Sequence, residues 1–563
     1  MENKPIARTL RLLSQLMELH EVNPFKIKSV ANAAFKVDKL PFKLADKPFD
    51  ELEKIDGIGK SLAGKIVELL TTGTMFELEE LLASTPPGVV EMLAIKGIGP
   101  KKIAIIWHEL NIENIGELYY ACNENRLIEA KGFGLKTQEE IRKAIEFKMA
   151  SNGKFLYARV EQLAIDMQEL MQKLLPEADI MICGEYRRRL EIINELCFVI
   201  GTGDTDEAIG ILQQDAFLQN IRVNENIISG DTESGLLTHI HVVDIAHFNT
   251  QVFIQTGNAE HVEAVLNRIK ESNLRVESEE DIYEKAGLPF IEPELREGTD
   301  IIAKAIESEL PELITYNDLK GTLHNHSTWS DGVNTLEEIV PYLRDELKLE
   351  YLGICDHSKS AFYAKGLSIE RVLQQHEEID HINKKTPDFH IFKGIESDIL
   401  NDGSLDYPDE ILQRFDFIVA SVHSNLKMAE DKATARLIKA IENPYTTILG
   451  HPTGRLLLSR NGYSIDYKKV IDACADNGVV IEINANPLRL DLDWRWHQYA
   501  LDKGVWLSIN PDAHRNEGHL DMHYGVLSAR KGGLYKERCL NALSLDEIKQ
   551  VFEKRKAHIN SSK

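Results

Sequence analysis

The sequence has no long apolar run and few cysteines. None of the apolar runs in its 563 residues approaches the roughly 18 residues of a bilayer-spanning helix, which excludes that class of protein. The first residues, Met1–Pro5, begin no apolar signal core, so we expect no export. Six scattered cysteines with no CxxC pair predict buried free thiols in a reducing cytoplasm.

Acidic residues outnumber basic ones, but unevenly along the chain. Asp and Glu total 90 against 65 Lys and Arg, a net charge of −25. Residues 1–150 contain 21 basic and 22 acidic side chains and are nearly neutral, whereas the remainder is strongly acidic. A neutral N-terminal part has room for a basic face, and an acidic remainder suits carboxylates that bind cations. The net charge therefore excludes neither nucleic acid nor metal as a partner.

A glycine turn occurs three times near the N-terminus. Residues 52–60, 93–102 and 128–136 each place Gly-x-Gly between two helix-like stretches. Such glycines permit a tight turn and bring backbone N–H groups close to an anion at the next helix's N-terminus. This helix-hairpin-helix pattern predicts binding to the DNA phosphate backbone, with a plain helical connector as the alternative. The predicted DNA contacts are Gly57, Gly59, Lys60, Gly97, Gly99, Lys101, Lys102, Gly132, Gly134 and Lys136.

Residues 1–80 also resemble the small N-terminal domain of family X DNA polymerases. The similarity runs through residues 23–28, 32–35 and the first hairpin up to Lys65. In that family the matching lysine can be catalytic, attacking an abasic sugar as a Schiff-base nucleophile, so the resemblance implies this role for Lys65. A solvated helix lysine or a phosphate contact is the alternative, which we favour.

Residues 151–310 continue this resemblance as a polymerase palm and thumb. Residues 183–200 are similar to the family signature G-S-[FY]-R-R-G-K-E-T-x-G-D-x-D, and residues 242–245 to its third metal-binding strand. The metal positions are then Glu195, Cys197 and Asp244. Nucleotidyl transfer needs two Mg²⁺ ions clamped by carboxylates, and cysteine is a soft ligand that suits Mg²⁺ poorly.

The phosphate side of the predicted palm departs from the family as well. Glu185 stands where the family has serine, and Arg189 and Asn194 replace glycines of the signature. We therefore expect a degenerate palm that serves as a scaffold and templating surface, with weak or lost polymerase activity. The alternative is a working polymerase in which Glu195 and Asp244 suffice.

From residue 318 onward, short apolar runs alternate with helix-like stretches. The seven candidate strands are residues 321–323, 351–355, 390–395, 415–420, 446–449, 479–483 and 505–509. The helix-like stretches include residues 335–347, 369–384, 432–441 and 467–477. Alternation of this kind predicts a parallel β/α barrel.

Histidines and carboxylates follow most of these strands. Because the loops after barrel strands converge on one face, we expect these side chains to meet in space. Isolated structural or surface histidines are the alternative. The predicted metal ligands are His324, His326, Asp331, His357, Glu396, His423, His451, Asp512 and His514. Nine mixed ligands predict two or three divalent ions, Mn²⁺ or Zn²⁺, with Fe²⁺ as a further option.

The same segments resemble the polymerase and histidinol phosphatase (PHP) superfamily. Residues 324–332 are similar to its first motif, and residues 355–358, 394–396, 421–424, 450–455 and 511–514 to later ones. The resemblance spans residues 318–540 and implies a distorted (β/α)7 barrel with metal-dependent phosphoesterase activity. We assign Glu396 as the bridging carboxylate. Arg455 is a candidate phosphate contact, with a structural or surface arginine as the alternative.

Over nearly its full length the chain is thus similar to bacterial family X DNA polymerases with a C-terminal PHP domain. The resemblance implies a multidomain protein with an α+β palm and thumb between a helical region and the barrel. Its expected parts are a lyase-like helix-hairpin-helix domain (1–80), a fingers-like helix-hairpin-helix region (81–150), the palm (151–247), the thumb and linker (248–317) and the PHP domain (318–563).

We predict a cytoplasmic, monomeric DNA-repair protein that acts on gapped or 3′-end-containing DNA as a metal-dependent 3′–5′ exonuclease. One alternative is an active gap-filling polymerase that also has the exonuclease. A non-catalytic DNA-binding scaffold and a small-molecule phosphatase are the others.

Overall fold

The chain divides into two compact units, Met1–Lys148 and Met149–Lys563. The computed structural model describes residues 1–561 except 96, 129, 150–152, 216, 272 and 308–309, and no side chains at 147–149 or 558–561. The predicted domain boundary at residue 150 lies outside the described residues, beside the division between the units. In the described part of the chain, no helix is both long and apolar enough to cross a membrane.

The first unit is helical. Its helices are α1 (Asn3–Leu19), α2 (Pro24–Asp38), α3 (Phe49–Leu52), α4 (Lys60–Thr72), α5 (Phe76–Ser84), α6 (Pro87–Met92), α7 (Pro100–His108), α8 (Ile115–Asn123) and α9 (Leu135–Met149). Helix α1 packs against α2, α5 and α7. It does so through a buried stripe at helical spacing, formed by Ile6, Leu10, Leu13 and Met17.

The second unit begins with a mixed five-stranded sheet in the order β2-β4-β7-β6-β5. Its elements are β1 (Phe155–Leu156), α10 (Tyr157–Leu174), β2 (Asp179–Cys183), α11 (Gly184–Arg187), β3 (Ile192–Ile193), β4 (Glu195–Thr202), α12 (Thr205–Gln214), β5 (Gln219–Asn224), β6 (Ile227–Asp231) and β7 (Leu237–Asp244). Strands β4 and β7 are parallel, and the other pairs in this sheet are antiparallel. Helices α10 and α12 pack on the sheet, which confirms the predicted mixed α/β character of this region.

Four helices follow as a small cluster with its own core. They are α13 (Phe248–Thr256), α14 (Ala259–Leu266), α15 (Glu279–Lys285) and α16 (Asp300–Glu307). Phe253, Tyr283 and Ile291 are fully buried in this core. Arg296 is fully buried beside them, and its charge is compensated by Glu279 at 2.6 Å.

The C-terminal region alternates parallel strands and helices, as the sequence predicts. Its elements are β8 (Gly321–Thr322), α17 (Leu336–Pro341), β9 (Tyr351–Ile354), α18 (Ile369–Lys385), β10 (His390–Lys393), β11 (Glu396–Asp398), α19 (Asp409–Leu412), β12 (Val419–Ser421), α20 (Glu430–Ile441), β13 (Ile448–Leu449), α21 (Tyr467–Asn477), β14 (Val480–Asn484), α22 (His497–Asp502), β15 (Leu507–Asn510), α23 (Met522–Lys531) and α24 (Leu545–Ser561). Each of the seven candidate strands overlaps a strand of the structure. The third contains β10, and β11 begins directly after its predicted end at residue 395.

These strands form two parallel sheets that join into a distorted barrel. One sheet has the order β10-β9-β8 and the other β11-β12-β13-β14-β15. Parallel bridges from His357 to Glu396 and from Asn325 to Ala513 connect them on both sides. The third strand is interrupted at Gly394, where an added Cβ would meet Phe417 at 2.5 Å. The carboxyl ends of the strands therefore face one side of the barrel.

Candidate functional site

The three glycine turns of the first unit share one backbone conformation. The first glycine of each turn has a positive φ, at +86° for Gly57, +94° for Gly97 and +87° for Gly132. Helices α4, α7 and α9 begin directly after the second glycine. No heavy atom lies within 4 Å of a Cβ added at Gly97 or Gly132, so the backbone there is open to a ligand.

Lysines surround the openings of these turns. Lys60, Lys101 and Lys136 are exposed in the first turns of the three helices. The Lys102 ammonium lies 5.3 Å from the centroid of the Phe133 ring, which brings the second and third turns next to each other. Helix N-termini with adjacent cations are suited to binding phosphates, and those of the second and third turns lie next to each other.

Lys65 is engaged in an ion pair. Its ammonium contacts the carboxylate of Glu77, and Lys26 binds the other oxygen of that carboxylate at 2.5 Å. The Lys65 side chain is only 17% exposed. An ammonium held by Glu77 is not a free nucleophilic amine, and a side chain this little exposed is not the solvated helix lysine of the alternative. A phosphate contact by Lys65 stays a prediction.

All nine predicted ligands lie at the carboxyl-end face of the barrel. His324 and His326 follow β8, His357 follows β9 and Glu396 begins β11. The remaining ligands are Asp331 in the loop after β8, His423 after β12, His451 after β13, and Asp512 and His514 after β15. The topology thus brings together side chains separated by up to 190 positions in the sequence.

Eight of the nine predicted ligands, all but His451, contribute donor atoms to three adjoining groups. Within each group the donor atoms lie no more than 4.8 Å apart, and the groups are His326, Asp331, His357 and His514; His324, His326 and Asp512; and His357, Glu396 and His423. Because His326 and His357 each belong to two groups, the arrangement suits a cluster of ions better than one isolated ion.

Both carboxylate oxygens of Glu396 lie close to histidine side chains. Its Oε1 is 3.1 Å from His423 Nε2 and 3.0 Å from His451 Nε2. Its Oε2 is 3.0 Å from His357 Nδ1. Imidazoles thus lie close to both oxygens of this carboxylate, and the bridging role assigned to Glu396 from the sequence stays a prediction.

Several of these atoms are buried without a hydrogen bond. His324 Nε2, His326 Nδ1, Asp331 Oδ2 and Glu396 Oε2 have no hydrogen-bond partner in the described part of the chain. An unpaired buried polar atom is costly, and ligation of a cation removes that cost. Imidazole and carboxylate donors suit Mn²⁺, Zn²⁺ and Fe²⁺, so the residues fit the predicted metals.

Buried carboxylates behind the ligands fix the orientation of the histidines. Glu482 Oε1 accepts from His324 Nδ1 at 2.7 Å, and its Oε2 accepts from the backbone N–H of His451 at 2.8 Å. Asp398 accepts from His423 Nδ1 at 2.6 Å. A hydrogen bond at one ring nitrogen leaves the other nitrogen directed at a metal.

The charges within the cluster shift its pKa values strongly. Burial, with the charges of His514 and His357, lowers the pKa of His326 to about 3. Burial opposes ionisation of Glu396, but the positive charges of His423, His324 and His357 hold its pKa well below the usual range. Burial also opposes protonation of His423, yet Glu396 and Asp398 raise its pKa to about 9. Metal binding must therefore be coupled to proton release from such histidines.

Arg455 is occupied by bonds within the barrel. It donates to the carbonyl oxygen of Arg489 at 2.9 Å and to that of Leu490, and its guanidinium pairs with Asp493. These three contacts hold the loop after β14. They support the structural alternative for Arg455 over a phosphate contact.

The palm site differs from the sequence expectation at its third position. Strand β7 pairs with β4 so that His239 lies opposite Cys197, whereas Asp244 lies opposite Thr202. Asp244 is five residues further along the strand, about 16 Å from His239 at the usual rise. Its side chain caps the following turn by accepting from Ala246 N at 2.9 Å. The assignment of Asp244 to the metal site is therefore wrong, and the neighbour of the other two positions is His239.

The corrected set, Glu195, Cys197 and His239, contains a single carboxylate. Glu195 is half exposed, with its Oε2 3.6 Å from His239 Nε2. Cys197 is buried, and burial raises the pKa of its thiol, which keeps this side chain uncharged. A site with one carboxylate lacks the anionic clamp that two Mg²⁺ ions need.

On the phosphate side of the palm, the polar groups bind other groups of the protein. The Glu185 carboxylate accepts from the backbone N–H of Asn194 at 2.6 Å and from its side-chain amide at 2.9 Å. Of the arginines in the signature, Arg187 pairs with Glu279 at 2.5 Å and Arg188 with Glu297 at 2.8 Å. Anion-binding groups of this pocket are thus already matched by carboxylates of the protein.

Sequence reasoning missed His239, Glu482 and Asp398 as site residues. Two of them carried a usable signal. Glu482 is a carboxylate within the otherwise apolar run 479–483, and Asp398 lies two residues after Glu396 on one strand. No such signal marked His239, because its position depends on the pairing register.

Comparisons with known proteins agree with this architecture. The helix-hairpin-helix domain family matches residues 1–75, and the SAM-like helix-hairpin-helix tandem family matches residues 89–146. A Bacillus subtilis (strain 168) protein named DNA polymerase/3′-5′ exonuclease PolX is 33% identical over 579 aligned residues, covering 99% of this chain and all of that protein.

Two shorter relatives match the C-terminal part. A probable phosphatase of Caldanaerobacter subterraneus subsp. tengcongensis is 30% identical over 192 residues, covering 32% of this chain and 71% of that protein. A probable phosphatase of Acetivibrio thermocellus is 36% identical over 148 residues, covering 24% of this chain and 58% of that protein.

Proposed function

This chain belongs to the PolX family of bacterial family X DNA polymerases with a PHP domain, and on that premise we propose that it is a DNA-repair exonuclease. In this proposal the barrel site hydrolyses phosphodiester bonds at DNA 3′ ends, in the 3′-to-5′ direction, and the palm has weak or no polymerase activity. Gapped DNA and DNA with an accessible 3′ end are the proposed substrates. A monomer in the cytoplasm remains the expected state, and six buried free cysteines support the reducing setting.

The convergence of the nine predicted ligands, Glu396 among them, at one face of the barrel is the observation that carries the proposal. His326, Asp331, His357 and His514 would hold one ion, and the groups around Asp512 and Glu396 would hold the others. Bound divalent ions supply Lewis-acid chemistry and an activated water for attack on phosphorus. Glu482 and Asp398 keep His324 and His423 oriented for this task.

The three glycine turns support DNA as the substrate. They offer helix N-termini and lysines for backbone phosphates, an interaction that does not depend on sequence. A small-molecule phosphatase has no use for such a surface. The name of the Bacillus subtilis relative includes a 3′-5′ exonuclease, and we carry that direction over to this chain as part of the proposal.

The altered palm supports loss of synthesis. Only one carboxylate, that of Glu195, is present among Glu195, Cys197 and His239, whereas two-metal transfer needs several. The Glu185 carboxylate accepts a hydrogen bond from the backbone N–H of Asn194. An active gap-filling polymerase is the alternative, and it requires Glu195 to act without a second carboxylate beside it. For Lys65, we propose a structural or phosphate-contact role because of its ion pair with Glu77.

The decisive test uses a 5′-labelled gapped primer–template with Mn²⁺ and all four dNTPs. We expect the wild-type protein to shorten the primer and a His324→Ala/His326→Ala variant to leave it unchanged. A Glu195→Gln variant serves as the matched control in the palm and is expected to shorten the primer at the wild-type rate. Primer extension, particularly by the His324→Ala/His326→Ala variant, would contradict the loss of synthesis.

A further inference from the structure

A phenylalanine lies exposed beside the metal centre. Phe362 follows His357 by five residues, in the loop after β9, and 87% of its surface is exposed. The neighbouring Tyr363 ring lies 6.1 Å from the His357 imidazole, so this loop borders the cluster. A single exposed apolar side chain is ordinary on a protein surface. Its position at the edge of a hydrolytic site is what distinguishes Phe362.

The loop that carries Phe362 is anchored on both sides. Ala361 and Ala364 are fully buried, so the chain enters and leaves the core around the exposed ring. Ser360 donates its hydroxyl to Asp398 at 2.6 Å, and Asp398 in turn binds His423 of the metal centre. The Phe362 backbone is therefore fixed relative to the ligands, which is the condition for a defined contact with substrate.

Two basic residues lie on the same loop. Lys359 and Lys365 are exposed and are each three residues from Phe362 in the sequence, and the Lys359 ammonium lies 5.6 Å from the centroid of the Tyr407 ring. Proteins hold single-stranded nucleic acid with exposed aromatic rings and basic side chains on one surface, where bases stack on the rings and phosphates lie near the cations. Val333 and Leu458 are further exposed apolar side chains, 42% and 37%, on the loops after β8 and β13 at the same end of the barrel.

We propose that Phe362 is a stacking platform for the terminal bases of the DNA strand that enters the barrel site, with Lys359 and Lys365 contacting its phosphates. This inference rests on the proposed nuclease function and makes it more specific, because it gives the site a preference for nucleic acid over small phosphate esters. Phe362 contacts a base rather than the scissile phosphate, so its effect falls on binding.

The test is a double-mutant cycle in which the Phe362 ring and the terminal bases of the DNA are removed separately and together. Steady-state shortening of a 5′-labelled single strand with Mn²⁺ is measured for the wild-type protein and for Phe362→Ala. It is then repeated with a strand whose 3′-terminal nucleotides carry no base. For the intact strand, Phe362→Ala is expected to raise KM about 5- to 150-fold with little change in kcat, which is the fold-change equivalent to ~1–3 kcal/mol of stacking. For the baseless end, the same substitution is expected to change KM little.

Two further variants serve as controls. Phe362→Trp keeps an aromatic face and is expected to retain a KM near that of the wild type. Ile306→Ala truncates another exposed apolar side chain, 57% exposed and located on α16, and is expected to change neither substrate's KM.

Two outcomes overturn the inference alone. One is an unchanged KM for the intact strand in Phe362→Ala, and the other is an equal rise for intact and baseless ends. If the wild-type protein shortens neither strand, the proposed nuclease function fails, and the inference fails with it.

Discussion

Glu482 is the buried carboxylate through which the metal centre can be perturbed most selectively. It touches no predicted ion, yet it binds two ligand residues, accepting from His324 Nδ1 at 2.7 Å and from the backbone N–H of His451 at 2.8 Å. Asn510 donates to it as well, at 3.0 Å. All of these contacts are made in a fully buried position.

Glu482→Gln keeps the shape of the side chain but replaces one acceptor oxygen with an NH₂ group. That group must face either the His451 N–H or the donors at His324 and Asn510, so a donor meets a donor in both orientations. One ligand residue then loses its fixed direction. Loss of such a supporting contact typically weakens metal binding ~10- to 100-fold, or about 1.4–2.8 kcal/mol.

The assay is calorimetric titration of Mn²⁺ or Zn²⁺ into the metal-free full-length protein. Glu191→Gln is the matched control, since Glu191 is a buried glutamate that binds Trp494 and Arg495 rather than the cluster. We expect weaker binding for Glu482→Gln and unchanged binding for Glu191→Gln. A folded Glu482→Gln protein with wild-type metal affinity would refute the supporting role of Glu482.

Three further predictions concern Lys531, Arg455 and Gly97. Burial lowers the pKa of Lys531 to about 8 from 10.5, so its proton is held more weakly in the native than in the unfolded protein. The free energy of unfolding of the wild-type protein, compared with that of Lys531→Met, should then rise by about 2 kcal/mol between pH 7 and 9.5. Urea unfolding measures both proteins, and a difference that does not change with pH would contradict this prediction. Arg455→Ala should lower the unfolding free energy by about 2–4 kcal/mol because three internal contacts are lost. A variant with unchanged stability and a raised KM for DNA would instead support a phosphate contact. Gly97→Ala should cost about 1–2 kcal/mol from backbone strain at φ +94°, with Gly99→Ala, which has an ordinary φ, as the nearly neutral control in thermal unfolding.

The barrel and its ligands were predictable because both leave marks in local sequence. Apolar runs such as 351–355 and 479–483 correspond to strands β9 and β14. The position of a ligand after its strand also determines the face on which it lies, since parallel strands present their carboxyl ends together. His324 and His514 therefore needed no knowledge of distance to be placed in one site.

The palm shows where such reasoning stops. The segment Val242–Ile245 resembles a metal-binding strand end, yet β7 pairs with β4 in a register that puts His239 beside Cys197. Register depends on hydrogen bonds between strands far apart in sequence, and a shift of a few residues leaves the local pattern equally plausible. The local pattern alone therefore selected Asp244.

The sequence by itself determined the order of the parts, the elements of the barrel and the chemical identity of the nine donors. These depend on periodicity, on glycines in turns and on residue type, all of which are local properties. Tertiary structure alone decided that Glu482 supports His324, that Arg455 holds a loop and that Phe362 faces solvent. Each of these depends on which distant segments pack together, because burial and hydrogen-bond partners are properties of the folded neighbourhood and not of the residue.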